Sequence, residues 1–230
     1  MVYNWLRPAL SVLLPHHCRL CGASGQADRD LCRGCQRDLP YLETACERCG
    51  LALAPDSPPL CGRCLRRPPP FDRVIAPLRY AAPADTLIHE FKFRGRLASG
   101  RLLADLMADA LHPQPRPQLL LPVPLHPRRL RERGFNQANE LARQLGRRLG
   151  IPCDSKLLQR LRDTPAQHDL PAKQRRGNIR RAFALNGALH ARHVAVIDDV
   201  MTTGHTVGEI ARVLRRAGAR RVEIWVAARA

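Results

Sequence analysis

Residues 194–206 read V-A-V-I-D-D-V-M-T-T-G-H-T. Four apolar residues run straight into two adjacent carboxylates, Asp198 and Asp199, and then into a small polar stretch around Gly204. The apolar run at 193–199 predicts a buried strand. Residues 204–219, GHTVGEIARVLRRAGA, set Ile210, Val213, Leu214 and Ala217 on one helical face. RVEIWVAARA at 221–230 predicts another strand. Strand, helix and strand in this order predict an α/β fold, a parallel sheet with helices on both faces.

The preceding chain fits that sheet. FDRVIAPLRYAA at 71–82 has strand character, 83–95 and 97–112 have helical character, and QLLLPVPLH at 118–126 predicts a short buried strand ending in prolines. Residues 135–150 predict a helix with a polar start and a glycine end. Residues 159–181 are basic and poorly periodic, and predict a long loop or a short helix between loops. The proline-rich RRPPPFD at 66–72 marks a boundary between a module at 1–67 and a domain at 71–230.

The first module carries four C-x-x-C pairs: Cys18 and Cys21, Cys32 and Cys35, Cys46 and Cys49, Cys61 and Cys64. Two thiolates of one such turn bind the same metal, and two turns complete the tetrahedral set preferred by structural zinc. Disulfides fit less well, because nothing marks the chain for an oxidising compartment. Redox C-x-x-C motifs usually occur singly. Two zinc ions are therefore predicted. The gaps between pairs, 22–31, 36–45 and 50–60, are too alike to fix the pairing by length. Sequential pairing closes the shorter loops: Cys18, Cys21, Cys32 and Cys35 in one site, Cys46, Cys49, Cys61 and Cys64 in the other. Crossed pairing is the alternative. Cys153 stands apart.

The formal net charge is +18, and the balance of 38 Lys/Arg against 20 Asp/Glu is nearly all arginine. Such a chain suits a polyanionic partner or a phosphorylated ligand, although an arginine skew also follows from genome composition. The opening MVYNWLRPALSVLLPHH is too short and too broken by proline to span a bilayer, and predicts a short packed helix. With no cleavage site, a cytoplasmic location is expected.

At the end of a parallel strand the acidic pair faces the crevice where ligands of such sheets bind. The helix start beyond it offers amides and a partial positive charge to a phosphate. Carboxylates reject phosphate but accept hydroxyls well. A phosphorylated sugar satisfies both halves, and Mg²⁺ would ease the repulsion between Asp198 and Asp199. A solvent-facing acidic pair accounts for the aspartates but not for T-T-G-x-T.

This run resembles the phosphoribosyl-pyrophosphate (PRPP) motif of type I phosphoribosyltransferases. The resemblance implies that Asp198 and Asp199 hold the ribose hydroxyls while Val200, Met201, Thr202, Thr203, Gly204, His205 and Thr206 take the 5-phosphate. The cysteine series together with FKFRG at 91–95, PVPLH at 122–126, RGFNQA at 133–138 and TPAQ…RRGNIRRAF at 164–183 resembles the ComF/GntX family. Those are double-zinc-ribbon proteins linked to natural competence and use of external DNA. The resemblance implies a PRPP-binding protein acting there through single-stranded DNA contact or the uptake machinery. The alternative is an active Mg²⁺-dependent enzyme that transfers ribose 5-phosphate to a nitrogen acceptor. PVPLH resembles the pyrophosphate loop of these enzymes, and Lys92, Arg94 and Arg133 are candidates for pyrophosphate contact. No nucleophile is legible, and zinc ribbons stand where salvage enzymes hold a nucleobase.

Overall fold

A computed structural model describes residues 16–111, 115–162 and 181–230. Residues 1–15 of the expected helix at 1–17 and most of the basic segment at 159–181 lie outside the described residues.

The sheet is built from β1 (Arg73–Ile75), β2 (Leu78–Arg79), β3 (Leu119–Pro122), β6 (His193–Met201) and β7 (Arg221–Arg229). Its order is β1-β7-β6-β3, with β2 continuing beside β7 where β1 leaves off, and every pairing is parallel. The stretch at 71–82 is thus one edge strand broken at Ala76 and Pro77. Pro77 lacks an N–H, and an edge tolerates that loss. Two further strands, β4 (Leu158–Arg160) and β5 (Phe183–Leu185), form a separate antiparallel pair.

Alternate residues of each strand serve opposite faces. Leu120, Ala195, Ile197, Trp225 and Ala227 join one buried cluster. Its other members come from α3 (Ala84–Arg94), α4 (Leu97–Ala110) and α6 (Gln137–Leu149). Leu121, Val194, Val196, Val222, Ile224 and Val226 pack on the other face with Val207, Ile210, Ala211 and Leu214 of α7 (His205–Arg216). Helices therefore cover both faces, and the strands are apolar on both.

Several bounds differ from expectation. α4 stops at Ala110 and α7 at Arg216. A short helix, α5 (Pro127–Arg133), occupies residues not expected to be helical. β6 does not end at Asp199. It continues to Met201 because β7 pairs on, Val200 with Ala228 and Met201 with Arg229.

The cysteine module has two similar halves. Each opens with a hairpin knuckle, bridged at His17–Ser24 or at Ala45–Ala52. Each then places its second C-x-x-C at the start of a five-residue helix, α1 (Arg33–Arg37) or α2 (Gly62–Arg66), with Cys32 or Cys61 as N-cap. The first half packs on the domain's helices: Cys18, Leu31 and Leu39 share the cluster of α3 and α4. Arg19 reaches Glu90 at 3.1 Å, and Arg29 reaches Asp109 at 2.8 Å. Between the halves, Leu42 N donates to Pro77 O and Arg79 N donates to Pro40 O, extending the sheet past β2.

Candidate functional site

The four sulfurs of Cys18, Cys21, Cys32 and Cys35 lie within 4.8 Å of one another, as do those of Cys46, Cys49, Cys61 and Cys64. The grouping is sequential. Tetrahedral thiolates about 2.3 Å from zinc stand about 3.8 Å apart. Cys21 and Cys32 sulfurs are 3.7 Å apart, and Cys49 and Cys61 sulfurs 3.8 Å. A disulfide needs about 2.05 Å. All nine cysteines are free, and Cys153, beside Leu120 of β3, belongs to neither cage.

Electrostatics favour a cation in each cage. Burial alone would raise the Cys18 thiol, but the amides of Cys32, Cys21 and Leu20 outweigh it and bring it down to about 6. Cys46 falls to about 7 in the same way, burial being overcome by the amides of Cys61, Cys49 and Arg48. Burial and the neighbouring sulfurs push Cys35 and Cys64 up instead. A divalent cation removes that conflict and lets all four sulfurs ionise. Two structural zinc ions fit these cages.

The acidic pair occupies the carboxyl end of β6. Asp199 is buried, 5% exposed, and Asp198 is partly exposed. Lys92, near the end of α3, donates to Asp199 Oδ2 at 2.9 Å and to Oδ1 at 3.3 Å. Val200 N donates to Asp199 Oδ1 at 2.8 Å, and Asp199 N to Asp198 Oδ1 at 2.9 Å. Burial raises the Asp198 carboxyl, the charge of Asp199 raises it further, and Lys92 only partly opposes them, so it titrates at about 7. Burial would lower the Lys92 ammonium, but the carboxylates of Asp199 and Asp198 outweigh it and hold it above its usual value.

Beyond Met201 the chain needs only Thr202, Thr203 and Gly204 to reach α7. Gly204 caps that helix at φ 76°, a left-handed conformation suited to glycine. A Cβ there would lie 2.6 Å from Met201 Cε. Met201 is buried beneath this turn. First-turn amides of a helix have no carbonyl to bond within it, and the helix dipole adds positive potential. Thr203 Oγ1 and His205 Nδ1 are 3.1 Å apart at the same turn.

Two other segments meet here. Val123, just past β3, donates its N–H to Ile197 O, and its carbonyl accepts from Asn136 Nδ2 at 3.0 Å. Asn136 also caps α6. Gln137 donates to Lys92 O at 3.3 Å and accepts from Arg133 at 3.4 Å. The Arg133 guanidinium lies 5.6 Å from the Phe93 ring centroid. Lys92 is therefore brought to the acidic pair, and Arg133 is close enough to Lys92 for its charge to oppose the ammonium. Arg94 is exposed and makes no ion pair among the described residues. His126 of PVPLH caps α5. A cavity of about 590 Å³ opens elsewhere, between the second ribbon and β1, and no residue of the acidic site lines it.

Reasoning from sequence missed Asn136 and Gln137, which hold these segments together. Both stand in the quoted RGFNQA stretch, which was the available signal. It also missed the buried Arg229, whose Nη1 donates to Met201 O; the signal there was weaker, a charge at the end of an apolar run.

Residues 9–65 match the double zinc ribbon domain, and residues 130–230 the phosphoribosyl transferase domain. The chain thus joins a double zinc ribbon to a phosphoribosyltransferase-type domain. DNA utilization protein YhgH of Escherichia coli O157:H7 is 42% identical over 202 residues, covering 85% of this chain and 88% of the relative. Competence protein F of Haemophilus influenzae is 37% identical over 226 residues, covering 93% and 96%. The chain belongs to this ComF/GntX family of competence and DNA-utilisation proteins. Among solved structures, a glutamine PRPP amidotransferase from B. subtilis is 18% identical with a TM-score of 0.41, covering 60% of this chain and 30% of that one. Among the described residues no helix is long and apolar enough to cross a membrane.

Proposed function

We propose that this protein binds PRPP with Mg²⁺ at the carboxyl end of β6 and acts in natural competence and the use of external DNA. Asp198 and Asp199 accept hydrogen bonds from the ribose hydroxyls. Residues 200–206 take the 5-phosphate at the start of α7. Mg²⁺ screens the two carboxylates. Lys92 and Arg133 meet the pyrophosphate, Lys92 exchanging Asp199 for it. The observation that carries the reading is the join itself: two carboxylates near the end of a parallel strand, and a strand end, Met201, three residues from Gly204, the glycine cap of a helix. Calorimetric titration with PRPP and Mg²⁺ tests it. Wild type binds, and Asp198→Ala with Asp199→Ala removes binding while both zinc ions stay. Unchanged affinity in that variant rejects the site.

The cellular role rests on the family, on the +18 charge and on the four reduced cysteine pairs, which suit the cytoplasm. Single-stranded DNA is the proposed polyanion. Its affinity must fall steeply with salt, and no binding at low salt removes it.

A second reading is transfer. The C1–O bond to pyrophosphate breaks, an acceptor nitrogen bonds to C1, and the acceptor proton leaves to solvent. Lys92, on Asp199, and Arg133, whose charge reaches Lys92, support it as cations that would meet the charge the leaving group gathers. Pyrophosphate release across a panel of nitrogen acceptors decides it: PRPP that stays bound and intact leaves a binding protein only.

A further inference from the structure

Arg229 stands at the carboxyl end of β7, opposite Met201 in register. Its side chain is buried, with the residue 5% exposed, and it makes no ion pair with a carboxylate among the described residues. Two hydrogen bonds hold the guanidinium. Nε donates to Cys49 O at 3.1 Å, and Nη1 donates to Met201 O at 3.1 Å. One end of the group therefore lies on the second zinc knuckle and the other on the last residue of β6. The knuckle itself is pressed against the sheet: a Cβ on Gly50 would stand 2.8 Å from Val74 Cγ1 and 3.7 Å from Arg229 Cδ. Met201 in turn lies under Gly204, the cap of α7.

A guanidinium does not give up its proton, so a buried one needs negative charge nearby. The sulfurs of Cys49, Cys61 and Cys46 favour its charge, and Arg63 of the same ribbon opposes it. Four thiolates around Zn²⁺ carry a net charge of −2, which supplies the missing partner. The Cys46, Cys49, Cys61 and Cys64 sulfurs fit that ion, as their spacing shows. Among the described residues the first ribbon has no such link. It docks on α3 and α4 through Arg19 and Arg29.

We infer that Arg229 is a positioning residue that ties the second zinc cage to residues 200–206, so that this cage sets the geometry of the 5-phosphate pocket. The inference rests on the reading of that loop as a sugar-phosphate site. Removing Arg229 leaves Met201 O its other donor, Ala230 N at 3.0 Å. The turn is then displaced, not unfolded.

The test uses the intact, zinc-loaded protein and two separate probes, ribose 5-phosphate and Mg²⁺–pyrophosphate, each titrated by calorimetry. Arg229→Met weakens ribose 5-phosphate about tenfold, the loss of one hydrogen bond from a charged donor. Mg²⁺–pyrophosphate is held within about twofold, because Lys92 and Arg133 lie on other elements and Asp198 and Asp199 precede Met201 on β6, away from the turn that Arg229 holds. Arg229→Lys keeps the charge and one donor, and recovers about threefold of the loss. Equal weakening of both probes marks general damage and overturns the inference. So does wild-type affinity in Arg229→Met. If Arg229→Met does not fold, Arg229→Lys alone decides: loss confined to ribose 5-phosphate supports the link, and wild-type affinity refutes it. If wild-type protein binds neither probe, the sugar-phosphate reading has failed, an outcome distinct from the failure of Arg229.

Discussion

Lys92 Nζ lies 2.9 Å from Asp199 Oδ2, joining the end of α3 to the end of β6 across 107 residues of chain. The pair explains how two adjacent carboxylates coexist without a ligand. Lys92 neutralises the more buried one, and Asp198 shifts toward its protonated form instead.

Lys92→Met leaves Asp199 buried without its counter-charge. The expected cost is about 1–3 kcal/mol, less than for a fully buried pair because Lys92 is partly exposed. Mg²⁺ should restore part of the loss by taking the place of the ammonium. Thermal unfolding with and without Mg²⁺ checks this, and equal losses in both conditions would refute it.

Asp198 titrates at about 7 in the fold against an ordinary value of 3.8. A carboxyl raised in this way binds its proton more tightly folded than unfolded. Its contribution to stability is complete below 3.8 and is lost as pH rises to 7. Asp198→Asn should therefore raise the Tm of ligand-free protein at pH 8 by a few degrees, about 1 kcal/mol. The same substitution should weaken PRPP. Wild-type affinity should itself decline as pH falls below about 7, as the charged acceptor disappears. A Tm unchanged between wild type and Asn at pH 8 counts against the shift.

Gly204→Ala combines two costs. The left-handed φ is worth about 1 kcal/mol against a Cβ, and the new methyl meets Met201 Cε. Placed in a Met201→Ala background, the same change should keep only the φ cost. Denaturant unfolding of the four proteins separates the terms.

Metal analysis should find two zinc ions per chain. Cys61→Ser should release one and leave the other, because the two cages share no cysteine. Loss of both ions, or retention of both, would contradict separate cages.

Much of this site was legible locally. The strand and helix around Asp198 and Gly204 are strongly periodic, and so are α3, α4 and α6. Helix α5 was not legible, since PRRLRER has only Leu130 to mark a face. It forms because His126 caps it and Pro127 opens it. The end of β6 was placed too early because charge in a sequence looks like an ending. Its last pairs depend on β7, a tertiary fact. The cysteine gaps could not choose a pairing by length, whereas the folded hairpins bring successive pairs together. Arg229 was least visible, because its partners lie 28 and 180 residues away.

The short pairing of Pro40–Leu42 against Pro77–Arg79 has a consequence for handling the protein. It covers the β2 part of the sheet edge, whose backbone groups would without it be open to any extended chain. The covering segment is held from both sides by zinc cages. A cell short of zinc would thus make chains whose sheet margins are bare, and bare margins stack on one another. Chelated protein should scatter light before its circular dichroism reports loss of helix, and replenished zinc should prevent that scatter if supplied before chains meet.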